Sequence, residues 1–452
     1  MRRTAFCLLW AAAFIGAIYA QEAPPADQET AGQQAKPPQM DHSQMKGMDH
    51  SSMQGMNMAG DPGTLLMDQA SGTSMNPKSW PMPMRMMNLG SWRTMWMASA
   101  FIVDTQQSGA RGHDKFYSPN WFMEAAEHSV GKGSFLFQLM LSLDPAMITG
   151  RSFPELFQTG ETAFGKPLVD AQHPHNFIMS MGLNYARPIT ENTIVQFYFA
   201  PVGDPALGPV AFPHRASAAE LPQAPLGHHW QDSTHIADEV VTMGITHRKV
   251  RLEASGFYGT EPGENRWIIQ TGPIDSWSTR LSVFPSKNWM TQVSVGRLAR
   301  PERQSPGDVV RSTASLHYTR PLPGGSWSSS LIWGRNHDTL TQRNLNSYLA
   351  ESELPIGRRN FLTGRAEFVD KDELFSDRPD LEERLNRTVG STFRIGAYTA
   401  GYTRDVELSR YWETGVGANF TVYSLPLAIR PYYGDHPFGV SVYLRVRLRA
   451  GR

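Results

Sequence analysis

Val440-Ser441-Val442-Tyr443-Leu444-Arg445-Val446-Arg447-Leu448 alternates without interruption. In an extended chain Val440, Val442, Leu444, Val446 and Leu448 fall on one side, and Ser441, Arg445, Arg447 and then Arg449 on the other. A helix would scatter both sets around its axis, whereas strand spacing separates them. Arginine on one face and aliphatic carbon on the other matches a wall with lipid outside and a polar lumen inside.

The same period recurs upstream. Trp277, Thr279, Leu281 and Val283 oppose Ser276, Ser278, Arg280 and Ser282. Val310, Ala314, Leu316 and Tyr318 oppose Arg311, Thr313, His317 and Thr319, and Val250, Leu252, Ala254 and Tyr258 oppose Arg251, Glu253 and Ser255. Short connections (131–132, 188–191, 285–288, 321–325, 355–358) alternate with long ones (near 104–119, 144–174, 201–238, 260–275, 299–308, 369–386). Outer-membrane barrels have short periplasmic turns and longer outer loops, and a soluble sandwich has no reason to alternate this way. The expected fold is all-β, a transmembrane antiparallel outer-membrane β-barrel of even strand number, about 14 to 18. The segments 387–406 (one strand or a hairpin) and 427–433 (strand or turn) leave the count open. Met95, Met97, Glu124, His128 and Met140 are lumen-facing candidates, with Met95 and Met97 read as packing.

The N-terminal side has a different composition. Met1-Arg2-Arg3, an apolar stretch from Ala5 to Ile18 and a small-residue site ending at Ala20 read as a signal peptide over 1–20. Its apolar core falls short of the roughly 20 residues that span a bilayer. The single cysteine, Cys7, lies inside it, so the processed chain would have no thiolate or disulfide. Lys+Arg and Asp+Glu both number 42, and nothing points to nucleic acid. Residues 21–88 contain few aromatic or β-branched side chains to offset the entropy of ordering, so a disordered arm is expected there. The barrel is then expected over 89–452.

Within the arm an imperfect repeat stands out, Met40-Asp41-His42-Ser43-Gln44-Met45 and Met48-Asp49-His50-Ser51-Ser52-Met53, followed by Met56 and Met58. Thioether sulfur is soft and neutral, suited to Cu(I) or Ag(I) and poor for Mg or Ca, and imidazole adds a donor that also suits Cu(II). The implied cofactor is copper or silver, with no organic cofactor. A plain linker would be built from Gly, Ser and Pro, not from oxidisable methionine.

These repeats behind a signal peptide resemble the arms of copper-resistance outer-membrane proteins, the B-type proteins of copper and silver efflux operons. The barrel portion resembles a family of predicted outer-membrane proteins associated with metal efflux. That likeness is carried by Gly165-Lys166-Pro167-Leu168-Val169-Asp170-Ala171-Gln172-His173-Pro174-His175, Pro213-His214-Arg215-Ala216-Ser217-Ala218 and His228-His229-Trp230-Gln231-Asp232-Ser233-Thr234-His235. The resemblance implies outer-membrane location and barrel fold. The partners expected are outer-membrane lipid, metal ions and periplasmic copper-handling proteins.

Two histidine motifs carry metal chemistry of their own. In extended backbone His173 and His175 share a face, roughly 6.5–7 Å apart, with Asp170 as a third donor or orienting acceptor. Alternatively they hydrogen-bond a loop into the barrel mouth. If 228–235 is helical, His228, Asp232 and His235 line up at i, i+4 and i+7, a set for Zn(II) or Cu(II); if extended, His229 and His235 pair instead. Asp232 or Ser233 as a helix cap is the plainer alternative. Both motifs fall in long loops on the outer side.

The leading reading is a copper or silver binding or transport protein, not an enzyme. One rival is an outer-membrane hydrolase with Ser180 and His175 as nucleophile and base and Asp170 or Asn176 as orienter, although the G-x-S-x-G elbow is missing. The other is a passive structural barrel or porin.

Overall fold

A computed structural model describes residues 61–232, 237–302 and 306–450. The expected signal peptide, the donor repeat of residues 40–58 and His235 lie outside the described residues. In chain order the strands are β1 (Arg85–Leu89), β2 (Trp92–Gln107), β3 (Lys115–Tyr117), β4 (Asn120–Val130), β5 (Gly133–Leu141), β6 (Phe153–Ala163), β7 (Lys166–Gln172), β8 (Ile178–Thr190), β9 (Thr193–Gly203) and β10 (Ala237–His247). They continue with β11 (Val250–Tyr258), β12 (Ser276–Ser286), β13 (Trp289–Leu298), β14 (Val309–Leu322), β15 (Gly325–Asp338), β16 (Asn344–Ile356), β17 (Asn360–Lys371), β18 (Phe393–Val406), β19 (Trp412–Ser424) and β20 (Phe438–Leu448).

β6 and β7 form a hairpin apart from the main sheet. Of the eighteen strands in that sheet, β1 and β3 only flank β2; the other sixteen form a closed antiparallel ring. It closes where β2 meets β20, in register from Ser99↔Arg447 to Gln107↔Gly439. Both of these strands leave their outer ends at the short-turn rim, which is what an even strand number requires.

The alternation in the sequence sets the facing. Arg251, Glu253, Arg280, Arg311 and Arg445 are buried inside, while Leu252, Trp277, Leu281 and Val442 stand out from the wall. This is an outer-membrane-type barrel, with charge on the lumen side and apolar carbon on the lipid side.

Two expectations are corrected and two open segments are settled. First, residues 61–88 do not belong to a featureless arm. Asp61 caps the helix α1 (Pro62–Met67), its Oδ2 accepting from the Thr64 N–H at 2.8 Å. Leu65, Leu66 and Met67 bury in the lumen, and β1 pairs with β2. Methionine and leucine here fill an irregular apolar space that the barrel wall supplies, which composition alone does not reveal. Second, of the alternatives for 387–406 the structure has one strand, β18, and not a hairpin; it begins only at Phe393, because α4 (Pro379–Thr388) runs into the start of this segment. Third, of the alternatives for 427–433 the structure has the turn: two short helical turns in a long loop, Leu427–Ile429 and Arg430–Tyr433. Fourth, Glu124 and His128 face outward, because on β4 the buried set is Met123, Ala125 and Glu127. His128 stacks on Trp92 at 4.8 Å instead.

Two short turns escaped the sequence reading, those at 248–249 and 407–411. Neither contains Gly or Pro. Arg248 takes φ 51° in the tighter one, a position where glycine is the usual signal.

Leu281 lies mid-strand on the lipid face, 39% exposed. Leu281→Arg should cost about 2–4 kcal/mol in urea unfolding of the protein refolded into liposomes. Unchanged stability would mean that this face does not meet lipid.

Candidate functional site

The lumen is filled by chain entering from both rims. From the short-turn rim, residues 61–84 run inward, turn at the Gln69↔Met75 bridge and return. Ser79 brings them back to the rim, its N–H donating to Lys287 O at 2.9 Å and its hydroxyl to Thr319 O at 2.7 Å. From the long-loop rim, the β9–β10 connection descends as far as Glu220. The two segments meet where Asn76 Nδ2 donates to His214 O at 2.9 Å and Asn76 Oδ1 accepts from Ala216 N at 3.1 Å.

Buried charge holds the descending loop. Arg215 donates to Glu351 at 2.6 Å and to Asp232 at 2.8 Å. Glu351 also accepts from Arg365 at 3.0 Å and from the Ser217 hydroxyl at 2.7 Å. Glu220 pairs with Arg445, and with Arg447 at 3.0 Å. Opening any of these pairs leaves a charge in a poorly hydrated interior.

Above this anchor the loops gather four histidines. His228 begins a single helical turn, α3 (His228–Gln231), and its Nδ1 lies 2.6 Å from Asp232 Oδ1. Asp232 Oδ2 accepts from Phe212 N at 2.9 Å and from Arg215, so this carboxylate orients His228 from behind. His175 is held in the same way, Nδ1 2.9 Å from Asp144 Oδ2, with Asp144 at the start of α2 (Asp144–Met147). A carboxylate on Nδ1 favours the tautomer with the proton on Nδ1 and the lone pair on Nε2, the arrangement usual behind metal-binding histidines.

His173 Nδ1 donates to Pro174 O at 3.1 Å, which leaves the Nε2 lone pair facing Glu161 Oε1 at 3.1 Å. Glu161 is also paired with Arg266, so a cation already stands beside this carboxylate. His229 sits beside Glu261, Nδ1 to Oε1 3.5 Å, and closely under Gly160, where a Cβ would come within 2.8 Å of the ring. Gly160 takes φ 112°, so both its conformation and this close approach favour glycine. The ring centroids of His173 and His229 are 5.9 Å apart, and those of His228 and His229 5.4 Å.

Burial, followed by the neighbouring His229, pushes His173 well below its ordinary pKa. Burial lowers His228 too, although Asp232 opposes it. Neutral imidazole is the form that binds metal. Among the described residues, no three His, Cys, Asp or Glu side chains form a group that could hold a metal ion. The cluster offers paired donors.

The structure therefore brings His173, His175, His228, His229 and Asp232 into one region. Asp170 is elsewhere, correcting the expectation that it serves these histidines. It is bound by Arg111, by Phe157 N at 2.8 Å and by the Tyr433 hydroxyl at 3.2 Å. Ser180 lines a lumen cavity beside Met140, and His175 is turned to Asp144. Asp144, Glu161 and Glu261, the acidic partners, were not legible, since each reaches its histidine across a long sequence separation.

No protein-family model matches the chain, and no curated protein matches it in sequence. Among solved structures, OmpF of Salmonella typhi (in complex with daunomycin) is similar, with 9% identity and TM-score 0.48, over 80% of this chain and 99% of that one. A loop-deletion mutant of OmpT, an outer membrane protein of Vibrio cholerae, is 8% identical with TM-score 0.47, over 79% and 100% of the two chains. An anion-selective porin from Comamonas acidovorans is 10% identical with TM-score 0.43, over 79% and 99%.

The depressed histidines give a signed pH dependence. The folded loops hold His173 and His228 neutral, and the unfolded loops take up protons near pH 6.5. The stabilisation is present above that value and is lost as pH falls below it, by about 1.4 kcal/mol per unit of depression per histidine. Amide exchange over residues 204–232 should quicken between pH 7 and 5 beyond the intrinsic change, and His228→Asn should flatten the effect. An identical pH response in that variant would exclude His228 as its source.

Proposed function

We propose that this outer-membrane barrel belongs to copper and silver handling: residues 40–58 take up Cu(I) or Ag(I) in the periplasm, and the barrel anchors that segment at the membrane or passes the metal on. The observation that carries the reading is the donor set itself, six thioethers and two imidazoles in a 19-residue stretch. Soft neutral donors at this density select Cu(I) and Ag(I) over the hard cations of the periplasm. Met40, His42, Met45, Met48, His50, Met53, Met56 and Met58 supply several three- or four-donor combinations.

Two features of the barrel support it. Short turns are periplasmic in such barrels, and the chain next to the donor repeat enters at the short-turn rim, beginning at Asp61. The lumen is also occupied by the two inward segments, and cavities of about 10 and 40 Å³ between them and the wall each have space for only a few waters. An occupied lumen favours anchoring or controlled passage over free diffusion. The histidines at the long-loop rim, His173, His175, His228 and His229, together with His235 further along the sequence, are the barrel's candidates for Cu(II) or Zn(II).

Substituting the six methionines by Leu should remove most Cu(I) affinity in a competition titration and leave barrel assembly intact. Substituting only His42 and His50 by Ala should chiefly weaken Cu(II) binding and the pH dependence below about 6.5. In cells, a deletion strain should differ from its parent in the copper content of periplasm and medium. Undiminished Cu(I) affinity in the Met-to-Leu chain would overturn the thioether mechanism.

A further inference from the structure

Inside the lumen lies a second set of soft donors, separate from both the arm and the loop histidines. β2, β4 and β5 are neighbours, and Met97 stands directly opposite Met123, which stands directly opposite Met140. All three point inward and are at most 4% exposed. Directly opposed residues have Cβ atoms about 4.5–5.5 Å apart, so these thioethers form a row at one level of the barrel. His214 reaches the end of this row from the descending loop, its Nε2 3.2 Å from Met140 Sδ and its ring 4.6 Å from that of Trp121. Met140, Met179, His214 and Asp204 line one small cavity of about 10 Å³.

Methionine as plain filler explains the row, since Met adapts to irregular space. It does not explain the polar atoms placed against it. His214 Nδ1 and Asp204 Oδ1 are buried in the cavity lining without a hydrogen-bond partner, and the other imidazole nitrogen meets only sulfur, a weak acceptor. Native structures rarely bury such groups without an unseen partner. His214 is also deliberately placed, since its own carbonyl is held by Asn76 from the opposite plug segment.

We propose that Met140, His214 and Met179, extended by Met123 and Met97, form a site for one soft monovalent cation, Cu(I) or Ag(I), within the barrel. With bonds of about 2.0 Å to nitrogen and 2.3 Å to sulfur, the lengths found at zinc and close to those expected for Cu(I), the 3.2 Å separation of His214 Nε2 and Met140 Sδ corresponds to an angle of about 95° at the ion; the larger Ag(I) needs the two side chains to part slightly. A further thioether completes a three-coordinate shell. Burial pushes the Asp204 carboxyl up to about 7, and a cation bound beside it would favour the ionised form, which supplies the negative charge that a monovalent cation needs away from water. The site extends the reading of the protein as a soft-metal binder and uses none of the arm's donors, so the two fail separately.

The test uses the full chain with the six arm methionines changed to Leu and His42 and His50 to Ala, titrated with Ag(I) against a competing chelator. One Ag(I) per chain should remain. Met140→Leu and His214→Asn should each weaken it by more than about tenfold, the scale at which even outer partners of a metal site act. X-ray absorption of the Ag(I)-loaded arm-silenced chain should show sulfur together with nitrogen, which decides the matter even if a lumen variant fails to assemble. Absence of retained Ag(I), retention at full affinity in both lumen variants, or a shell without sulfur would overturn the proposal. Total binding unchanged by silencing the arm would instead remove the arm reading and leave this site standing.

Discussion

A charge that faces the inside of a filled barrel must find its counter-charge there, because little water remains to solvate it. The wall contributes Arg280, Arg365, Arg445, Glu253 and Glu351, all buried. Some pair within the wall, as Arg280 does with Glu253 at 3.0 Å. Others pair both within the wall and with the loop that fills the lumen: Arg445 with Asp405 and Glu220, and Glu351 with Arg365 and Arg215. Breaking one such buried pair by removing a partner typically costs about 3–5 kcal/mol, so barrel and plug are energetically one unit.

The plug is consequently a fixed scaffold that sets side chains in place. Arg215 illustrates this. It joins the wall carboxylate of Glu351 to Asp232, and Asp232 in turn holds His228. The electrostatics that close the lumen thus also set the tautomer of an imidazole at the long-loop rim. At the other end of the same loop, Asn76 from the N-terminal segment fixes the backbone of His214 beside Met140. Both sets of candidate donors are positioned by contacts between segments more than a hundred residues apart in sequence.

What could be read in advance follows physical lines. Strand facing was legible wherever one side was aliphatic and the other carried charge, as in β12, β14 and β20. It was misread on β4, where Glu124 and Glu127 fall on opposite faces and polarity alone does not choose between them. Turns were legible where Gly or Pro marked them and missed at 248–249, where Arg248 adopts the left-handed conformation itself. The helix of α4 and the ordered segment 61–84 were missed because both gain their stability by packing against the barrel, through Leu381 and Leu385 in one case and Leu65 and Leu66 in the other.

The sequence by itself determined the barrel, because a two-residue period between lipid and lumen is a local property that each strand carries alone. The proposal for residues 40–58 likewise rests on residue type and spacing alone. Tertiary structure alone decided which acid backs which histidine: Asp144 for His175, Glu161 for His173, and Arg111 in place of a histidine for Asp170. It alone set Met97, Met123 and Met140 in a row ending at His214. Strand register and loop descent are collective outcomes of ring closure and of charge pairing inside the lumen, and neither leaves a trace in the spacing of residues along the chain.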